Sequence, residues 1–517
     1  MSFCTVLSAA VQGLSVEMIR VEADVSNGLP MFHMVGYLSS EVKEASERVR
    51  TAIRNSGMKL PAKKIIVNLA PATVRKRGAS FDLPIALAVL AAMNYVPEEA
   101  LKGVAVIGEV SLEGKIRGVS GVLPIVMEAK NQGCTACILP EENEIEGRLV
   151  SGIKILPADN LEKLCAYLNG DEKEIHRKKQ GRSSAQRNIF ENKKEDFSDI
   201  CGQNAVKRAA EIAVAGGHNL LMAGPPGSGK SMIARRIATI LPELSLEESL
   251  EITRIYSVLG MIDKEQPLIT RRPFRSVHHT ITKTALVGGG MTPRPGEISM
   301  AHGGVLFLDE LAEFPRNVLE VLRQPLEEHQ IHIARNYGNF TFPAEFMLVA
   351  AMNPCPCGNY PDMQKCSCTP SQIQKYLGKI SQPFLDRMDL CIETPKVEYL
   401  ELDIERIGKK EEESSEVIRS RVVEARKLQK KRYEGTQIRT NSMLGPGEIR
   451  TYIPLGSAER KLMEKAFERM GLTARRYHKI LRVARTIADL DYSEKVTEKH
   501  LKEAIAYRSL DKKYWGR

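Results

Sequence analysis

One stretch, HNLLMAGPPGSGKS at residues 218–231, constrains the fold more than any other part of the chain. Its apolar start is typical of a buried strand, and the glycine-rich turn that follows fits GxxxxGK followed by Ser or Thr, at the start of a helix. Glycines let backbone N–H groups curl around phosphate oxygens, while the lysine reaches the β- and γ-phosphates and the hydroxyl coordinates Mg²⁺. The stretch predicts a nucleotide-binding loop made of Gly224, Pro225, Pro226, Gly227, Ser228, Gly229, Lys230 and Ser231.

Two further apolar runs end in polar residues of the kind that such a site needs. GGVLFLDE ends in Asp309, which we expect to bind Mg²⁺ together with Ser231, and in Glu310, which would polarise the attacking water. EFMLVAAMNP carries Asn353 at a strand end, where its side chain would orient that water or contact the γ-phosphate. Short apolar strands separated by helical stretches predict a parallel α/β sheet.

The length of the chain, 517 residues, predicts two to four domains. Residues 1–170 alternate between strand-like and helix-like patterns, such as KKIIVNLAP and FDLPIALAVLAAM. Residues 171–198 are charged and poor in aliphatic side chains, which predicts a linker. Residues 199–395 hold the nucleotide motifs, and in residues 396–517 apolar positions recur at helical spacing. We therefore predict a front α/β domain, a linker, a central α/β domain and a C-terminal helical domain.

Four of the ten cysteines lie close together in NPCPCGNYPDMQKCSC, directly after Asn353. They form two C-x-C pairs around a hydrophilic loop: Cys355, Cys357, Cys366 and Cys368. Four thiolates suit one tetrahedral Zn²⁺, and because all ligands would come from the protein, the pattern predicts a structural rather than a catalytic zinc site. Four unrelated free thiols are the alternative.

Two other pairs of potential ligands receive a different interpretation. Cys134 and Cys137 begin an apolar strand, which favours buried thiols over metal ligands. His278 and His279 are adjacent, so their side chains diverge in regular structure, and no carboxylate or cysteine motif surrounds them in the sequence. We expect the histidine pair to lie in a loop that contacts DNA or a neighbouring subunit.

The balance of charge permits an anionic partner. The formal net charge is +10, and nucleic acid is the commonest large anion; a merely soluble basic protein is the alternative. The first residues lack the basic start of a secretory signal, and the longest uncharged apolar stretch is shorter than the roughly 20 residues that span a bilayer. We expect a cytoplasmic protein that has no membrane partner.

Three long stretches carry a resemblance to a known family: RPFRSVHHTITKTALVGGG, PRPGEISMAHGGVLFLDELAEFPRNVLEVLRQPLEE and ARRYHKILRVARTIADL. With the nucleotide motifs, they resemble the Mg-chelatase-like AAA+ ATPases of the ComM/YifB type, over essentially the whole chain. The resemblance implies ATP as the nucleotide, a helical lid at the C-terminus and a homo-oligomeric ring, a hexamer. It also implies that Arg387 is an arginine finger serving the neighbouring subunit's ATP, and that Arg475 is the sensor-2 arginine of the lid.

The front domain resembles the Lon-protease-like fold, an α/β unit of the ribosomal-protein-S5 domain 2 type. IGEVSLEG and ILPEEN match strand and loop motifs of that fold. Active Lon proteases use a serine–lysine dyad, and Ser80 falls near the serine position, whereas Leu123 occupies the lysine position. Leucine cannot take a proton from a serine hydroxyl. We therefore expect a catalytically silent domain that is used for assembly or ligand contact.

Two classes of function fit these features. The resemblance implies a DNA motor, a helicase that drives branch migration on single-stranded or branched DNA during recombination or natural transformation. The basic segment RRPFR at 271–275 and five lid residues would neutralise phosphates: Arg475, Arg476, Lys479, Arg482 and Arg485. The alternative is an ATP-dependent protein remodeller or a metal-insertion subunit like that of magnesium chelatase. A third option, an ATP-dependent protease, is disfavoured by Leu123.

Overall fold

The computed structural model describes residues 2–171, 195–335, 338–396 and 412–515. The described residues form a front α/β domain, a central α/β domain and a C-terminal helical domain, which is the predicted order of fold types. Most of the predicted linker, 171–198, lies outside the described residues, so the domain boundaries stay predictions. Among the described helices, none combines the length and the hydropathy needed to cross a membrane.

The front domain is built on a mixed seven-stranded sheet. Its strands are β1 (Ser2–Gln12), β2 (Ser15–Ser26), β3 (Met31–Val35), β4 (Lys64–Ala70), β5 (Val104–Val106), β6 (Glu109–Val110), β7 (Ile116–Arg117), β8 (Ala136–Pro140) and β9 (Lys154–Ala158). Seven of them pair in the order β3-β4-β2-β1-β5-β8-β9, while β6 pairs with β7. The β1–β2 and β2–β4 pairs are antiparallel, and the remaining pairs of the large sheet are parallel.

Helices cover the sheet of the front domain: α1 (Ser40–Lys43), α2 (Ala45–Asn55), α3 (Asp82–Ala92), α4 (Val122–Asn131), α5 (Glu144–Gly147) and α6 (Leu161–Leu168). Every residue of α3 is buried, because this helix is apolar on all sides and lies across β1 and β2. The predicted strand KKIIVNLAP and the predicted buried helix FDLPIALAVLAAM are both confirmed, as β4 and α3.

The central domain contains a parallel five-stranded sheet and two inserted hairpins. Its strands are β10 (Leu220–Ala223), β11 (Phe274–Val277), β12 (Gly288–Gly289), β13 (Arg294–Pro295), β14 (Val305–Leu308), β15 (Gln330–Arg335), β16 (Gly338–Pro343), β17 (Met347–Met352) and β18 (Leu390–Glu393). The sheet order is β11-β14-β17-β10-β18, and β12–β13 and β15–β16 form separate antiparallel pairs. Since all five strands run the same way, the residues that follow β10, β14 and β17 meet at one edge.

The helices of the central domain are α7 (Asn204–Gly216), α8 (Lys230–Ile237), α9 (Leu246–Leu259), α10 (Lys283–Val287), α11 (Glu297–Met300), α12 (Arg316–Glu320), α13 (Pro325–Glu328), α14 (Pro370–Leu377) and α15 (Gln382–Leu385). Single 3-10 turns of the chain lie at Glu98–Leu101, Glu141–Asn143, Phe197–Asp199, Ala238–Ile240, Leu311–Glu313 and Asn441–Met443.

The C-terminal domain is helical, as predicted. It contains α16 (Ser415–Arg432), α17 (Pro446–Tyr452), α18 (Ser457–Met470), α19 (Ala474–Leu490), α20 (Glu498–Ala506) and α21 (Ser509–Trp515). Helices α16 and α19 pack against α7 and share one hydrophobic core with it. A buried ion pair of 2.8 Å joins Lys479 of α19 to Asp389, the residue just before β18. Helix α19 therefore lies at the amino-terminal edge of the parallel sheet.

The front domain is joined to the central domain through helices α4 and α9. The N–H of Gly121 donates to the carbonyl of Ser257 at 2.9 Å, and the Ser257 hydroxyl donates to the Glu146 carboxylate at 2.6 Å. The N–H of Leu123 donates to the same carboxylate oxygen at 2.8 Å. Leu123, which was predicted to stand at the position of the dyad lysine, lies at the start of α4. This part of the helix is thus buried against the central domain.

Candidate functional site

The phosphate loop joins β10 to α8, as the sequence predicts. Gly227 and Gly229 have φ of 75° and 82°, a conformation that glycine adopts without steric cost. A Cβ on Gly224 would lie 2.1 Å from the hydroxyl oxygen of Thr394, so this position also requires glycine. The N–H of Gly224 donates to the carbonyl of Met352 at 3.1 Å. The loop is therefore held between the ends of β17 and β18.

Lys230 lies at the centre of this loop. Its ammonium group donates to the carbonyls of Gly224 and Pro225, both at 2.8 Å, and to Oδ1 of Asn353 at 3.3 Å. Burial lowers the pKa of Lys230 to about 8, and Asp309 partly opposes that shift. The structure thus brings the predicted Asn353 to the predicted phosphate-binding lysine across two neighbouring strands.

Ser231 and Asp309 lie close enough to share a metal ion. The Ser231 hydroxyl donates to Oδ2 of Asp309 at 2.7 Å. The other carboxylate oxygen of Asp309 accepts from the N–H of Glu310 at 2.9 Å. Mg²⁺ in phosphate-processing sites takes one or two protein oxygens and fills its other positions with water and phosphate. The hydroxyl and the carboxylate therefore fit the predicted magnesium site.

Glu310 has a neighbour that the sequence analysis did not predict. Nδ1 of His279 lies 3.2 Å from Oε2 of Glu310, with the two side chains about a third and half exposed. Val277 pairs with Leu308 in the parallel register of β11 and β14, so His279 and Glu310, each two residues further on, fall side by side. No carboxylate motif lies beside the histidine pair in the sequence, so this neighbour of His279 was not predicted. The register, which a sequence does not display, is what brings the two residues together.

Arg387 lies at the other end of the sheet. Its guanidinium group is bonded to Glu327 at 2.8 Å, to the carbonyl of Pro383 at 2.6 Å and to the carbonyl of Arg323 at 3.2 Å. Arg475, at the start of α19, is exposed, and its guanidinium nitrogen lies 3.9 Å from the same Glu327 oxygen. The structure thus brings the two predicted arginines together, but away from the phosphate loop.

The parallel sheet separates these arginines from the loop of their own chain. Arg387 precedes β18, and its carbonyl accepts from the side chain of Asn219, the residue before β10. The phosphate loop begins where β10 ends, and a strand of four residues spans about 13 Å. In this conformation neither Arg387 nor Arg475 reaches Lys230 of the same subunit.

Most basic residues of α19 are neutralised within the protein. Arg476 pairs with Asp386 at 3.2 Å, and Lys479 pairs with Asp389 at 2.8 Å. Burial lowers the pKa of the partly exposed Arg482. Because Arg476 and Lys479 already have carboxylate partners, their charges lend no support to the idea that the lid residues neutralise DNA phosphates, which stays a prediction.

Two further arginines in the predicted phosphate-binding set are also paired. Arg485 is 2% exposed and pairs with Asp489 at 2.9 Å. In the basic segment 271–275, Arg275 forms two bonds of 2.7 and 2.8 Å with Glu297. Both charges therefore have carboxylate partners within the chain, and neither supports that prediction.

The four predicted zinc ligands converge. Their Sγ atoms lie within 4.8 Å of one another, with measured separations of 3.4, 3.6 and 3.7 Å among the first three: Cys355, Cys357, Cys366 and Cys368. Sulfur atoms at about 2.3 Å from a tetrahedral zinc lie about 3.8 Å apart, so the cluster fits Zn²⁺. The N–H of Asn359 lowers the pKa of the Cys357 thiol to about 5, and thiolate is the form that binds metals.

The other cysteine pair behaves as predicted. Cys134 and Cys137 are buried, and burial raises the pKa of Cys137 to about 12. Neither belongs to a group of potential metal ligands among the described residues. They are packing residues of the front domain, where Cys137 lies on β8.

Profiles of three families match successive parts of the chain. The family described as magnesium chelatase, subunit ChlI, matches residues 196–402. The profile for subunit ChlI of Mg-chelatase matches residues 21–143, and the profile for the C-terminal part of subunit ChlI matches residues 412–508. Together they cover the front, central and C-terminal domains.

Full-length relatives accompany these matches. The chain is 44% identical to the protein YifB of Escherichia coli over 512 residues, which is 99% of the chain and 98% of YifB. It is 42% identical to the competence protein ComM of Haemophilus influenzae over 517 residues, with the same coverage. The Lon protease of Trichlorobacter lovleyi is 26% identical over 160 residues, 29% of the chain and 19% of that protease.

Proposed function

Because the chain belongs to the magnesium chelatase subunit ChlI family, in the branch of AAA+ proteins that contains YifB and ComM, we propose that it is a ring-forming, Mg²⁺-dependent ATPase that acts on DNA. The observation that carries the ATPase is the meeting of Lys230, the Ser231–Asp309 pair and Asn353 at one edge of the sheet. These are the groups that phosphoryl transfer needs for charge neutralisation, metal binding and water positioning.

Each residue has a separate task in this proposal. Lys230 neutralises the β- and γ-phosphates, and the backbone of the phosphate loop binds their oxygens. Ser231 and Asp309 would hold Mg²⁺, which supplies positive charge to the phosphates. Glu310 polarises the attacking water, and Asn353 senses the γ-phosphate from its contact with Lys230.

The assembly of subunits follows from the position of the arginines. Arg387 and Arg475 share Glu327 at the edge of the sheet remote from their own phosphate loop. We infer that both complete the site of a neighbouring subunit, so that a hydrolytic site forms only between two subunits. Six subunits arranged in a ring, the number that the family resemblance implies, would contain six such sites.

We propose DNA as the substrate. The chain is 42% identical to a competence protein, and its formal net charge is +10. The basic residues of α19 lend no support, since most are paired internally. We propose a helicase that drives branch migration on single-stranded or branched DNA, in recombination or natural transformation.

The test of this proposal is the ATPase rate of the purified chain with and without single-stranded, duplex and branched DNA at low salt. We expect DNA to stimulate hydrolysis and to promote a hexamer. Lys230→Ala should abolish turnover, whereas Glu310→Gln should bind ATP and hydrolyse it slowly. If rate, oligomeric state and strand displacement are indifferent to every DNA form, the alternative of a protein remodeller or a metal-insertion subunit replaces the DNA motor.

We also propose that the cysteine cluster holds one structural Zn²⁺ per chain. The close approach of four sulfur atoms supports it. Elemental analysis of the purified protein should give one zinc per chain, and Cys366→Ser should lower that value. A folded, active preparation without metal would contradict the proposal.

A further inference from the structure

The turn that carries the first two cysteines packs directly on the phosphate loop. The N–H of Gly358 donates to the carbonyl of Cys355 at 3.0 Å, which closes a turn with Gly358 at φ 80°. A Cβ on Gly358 would lie 2.3 Å from Cδ and 2.8 Å from Cγ of Pro226, in the phosphate loop. The backbone of the cysteine turn therefore rests on the ring of Pro226 with no space between them.

A second connection runs through the strand that leads into the cluster. Asn353, two residues before Cys355, accepts from the Lys230 ammonium group at 3.3 Å. The carbonyl of Met352, one residue earlier, accepts from the N–H of Gly224 at 3.1 Å. The first glycine and the lysine of the phosphate loop are thus both bonded to the segment that the cluster anchors.

The far side of the cysteine loop is supported as well. The N–H of Tyr360 donates to Sγ of Cys355 at 3.4 Å, and its ring lies 6.0 Å, centre to centre, from that of Tyr514 in α21. The Tyr514 hydroxyl donates to Glu393 at 2.6 Å, at the end of β18. Tyr360 and Tyr514 hold the side of the loop that faces away from Pro226. A change in the shape of the loop would therefore move the surface that Pro226 contacts.

We propose that metal binding by the cysteine cluster and nucleotide binding by the phosphate loop are thermodynamically linked through the contact between Gly358 and Pro226. This inference rests on the proposed zinc site and on the proposed nucleotide site. A metal ion fixes the positions of four thiolates, and hence the turn on which Pro226 rests. Without the metal, no ion holds the four thiols together, and the phosphate loop loses its support.

Such a linkage works in both directions. If the metal raises the affinity for a nucleotide by some factor, the nucleotide raises the affinity for the metal by the same factor. Coupling between sites of this kind typically amounts to about 5- to 150-fold. Here the two sites touch, so we expect at least a fivefold effect.

The first experiment uses the unmodified protein. The zinc affinity is measured by competition with a chelating dye with and without Mg-ADP, and the affinity for a fluorescent ADP is measured before and after metal removal. We expect ADP to raise the zinc affinity at least fivefold, and metal removal to weaken ADP binding by the same factor. Lys230→Ala, which lacks the phosphate contact, should have one zinc affinity with or without ADP.

The second experiment tests the contact itself. Gly358→Ala places a methyl group in the Pro226 ring and should weaken ADP binding at least fivefold while zinc content stays at one per chain. Gly435→Ala is the matched control, because Gly435 also has φ 80° but no atom within 4 Å of its Cβ position. Adding Pro226→Ala to Gly358→Ala makes room for the methyl group and should recover part of the lost affinity.

The possible results distinguish a failure of the linkage from a failure of the proposed zinc site or of the proposed nucleotide site. A protein purified without zinc contradicts the metal site, and one that binds no ADP contradicts the nucleotide site. If zinc and ADP both bind, but ADP leaves the zinc affinity unchanged and Gly358→Ala behaves like Gly435→Ala, the linkage is wrong and both sites stand.

Discussion

Lys230 holds its positive charge in a nearly dry part of the phosphate loop. It is 8% exposed, and its ammonium group donates to backbone carbonyls, the Ser228 hydroxyl and one amide oxygen. Burial lowers its pKa to about 8, and the nearby Asp309 opposes this shift only in part. Bound phosphates would add negative charge, and so would favour the protonated form.

This environment predicts how ADP affinity depends on pH. Below about pH 8 the lysine of the free protein is already protonated, so affinity should be nearly constant. Above that pH the free protein must take up a proton to bind, and affinity should fall by up to about tenfold per pH unit until the pKa of the bound state is reached. A fluorescent ADP titrated between pH 7 and 9.5 measures the effect.

Lys230→Arg provides the control, because arginine stays charged over this range. The ADP affinity of this variant, whatever its absolute value, should not change between pH 7 and 9.5. If the ADP affinity of the natural protein and that of this variant fell equally with rising pH, the assignment of the pH dependence to Lys230 would be contradicted.

The limits of sequence prediction are visible at single residues. Glu310 and Asn353 could be predicted, because each follows an apolar strand and chemistry demands a polar group there. The contact of His279 with Glu310 could not, since it depends on the register between β11 and β14. Likewise, the spacing of the cysteines indicates a metal site, but not the glycine contact with Pro226.

At the scale of elements, helix α19 was predicted correctly as a helix, whereas its role as a phosphate-binding surface stays a prediction that most of its basic residues do not support. Helical spacing shows which residues share a face, but not whether a basic face turns toward solvent. In the structure that face turns inward, where Asp386, Asp389 and Asp489 lie. These acidic partners come from neighbouring elements and from the helix itself.

Two arginines of α19 therefore should behave differently when removed. Arg485→Ala leaves the buried Asp489 with Arg432 as its remaining cationic partner and frees the carbonyls of Ser493 and Glu494, which should lower the free energy of unfolding by about 1 to 3 kcal/mol. Arg475→Ala removes an exposed side chain and should change it by no more than about 0.5 kcal/mol. Denaturant unfolding measures both values.

If the free energy of unfolding fell equally in the two variants, the structural role given to Arg485 would be contradicted. Unchanged stability in Arg485→Ala, combined with weaker DNA binding, would restore the original interpretation of α19 as a phosphate-binding surface.

Sequence patterns predicted the elements that are long or strongly apolar. β10, β14 and β17 were found because each is a short apolar run ending in a functional motif. The two hairpins of the central domain were missed, since β12 and β13 have two residues each and β15 and β16 carry mixed side chains. Their pairing depends on tertiary contacts, such as Phe340 and Phe342 packing at Gly13 of the front domain.

At the scale of the whole molecule, the front domain is fastened to the central domain by a buried carboxylate. Glu146 is 3% exposed and accepts from Ser257 and from the N–H of Leu123. Burial raises its pKa, and its hydrogen bonds oppose that shift. The contact covers the position where an active protease would need an accessible lysine, which agrees with a front domain that has no peptidase role.

The proposed sharing of sites between subunits predicts complementation. Arg387→Ala should bind ATP but hydrolyse almost none, because its own phosphate loop is intact while its neighbour's site is incomplete. Lys230→Ala lacks a working loop but still offers Arg387. Mixed in equal amounts, the two inactive variants should recover roughly a quarter of the natural rate, since a quarter of random interfaces combine both intact halves.

The measurement is ATP turnover in mixtures of the two variants at constant total protein. A mixture as inactive as its parts, at a concentration where rings form, would contradict the role of Arg387 in the neighbouring site. High activity of Arg387→Ala alone would contradict it equally.

The phosphate loop and Glu327 lie at opposite ends of the same short strands, and this has a consequence for growth of the assembly. In the proposed head-to-tail contact, the loop of one subunit meets the arginine edge of the next, so a pair of subunits leaves one loop and one arginine edge unsatisfied. Such a contact has no two-fold axis and no closed dimer. Its geometry yields either a circle or an open screw, and the tilt between adjacent sheets decides which.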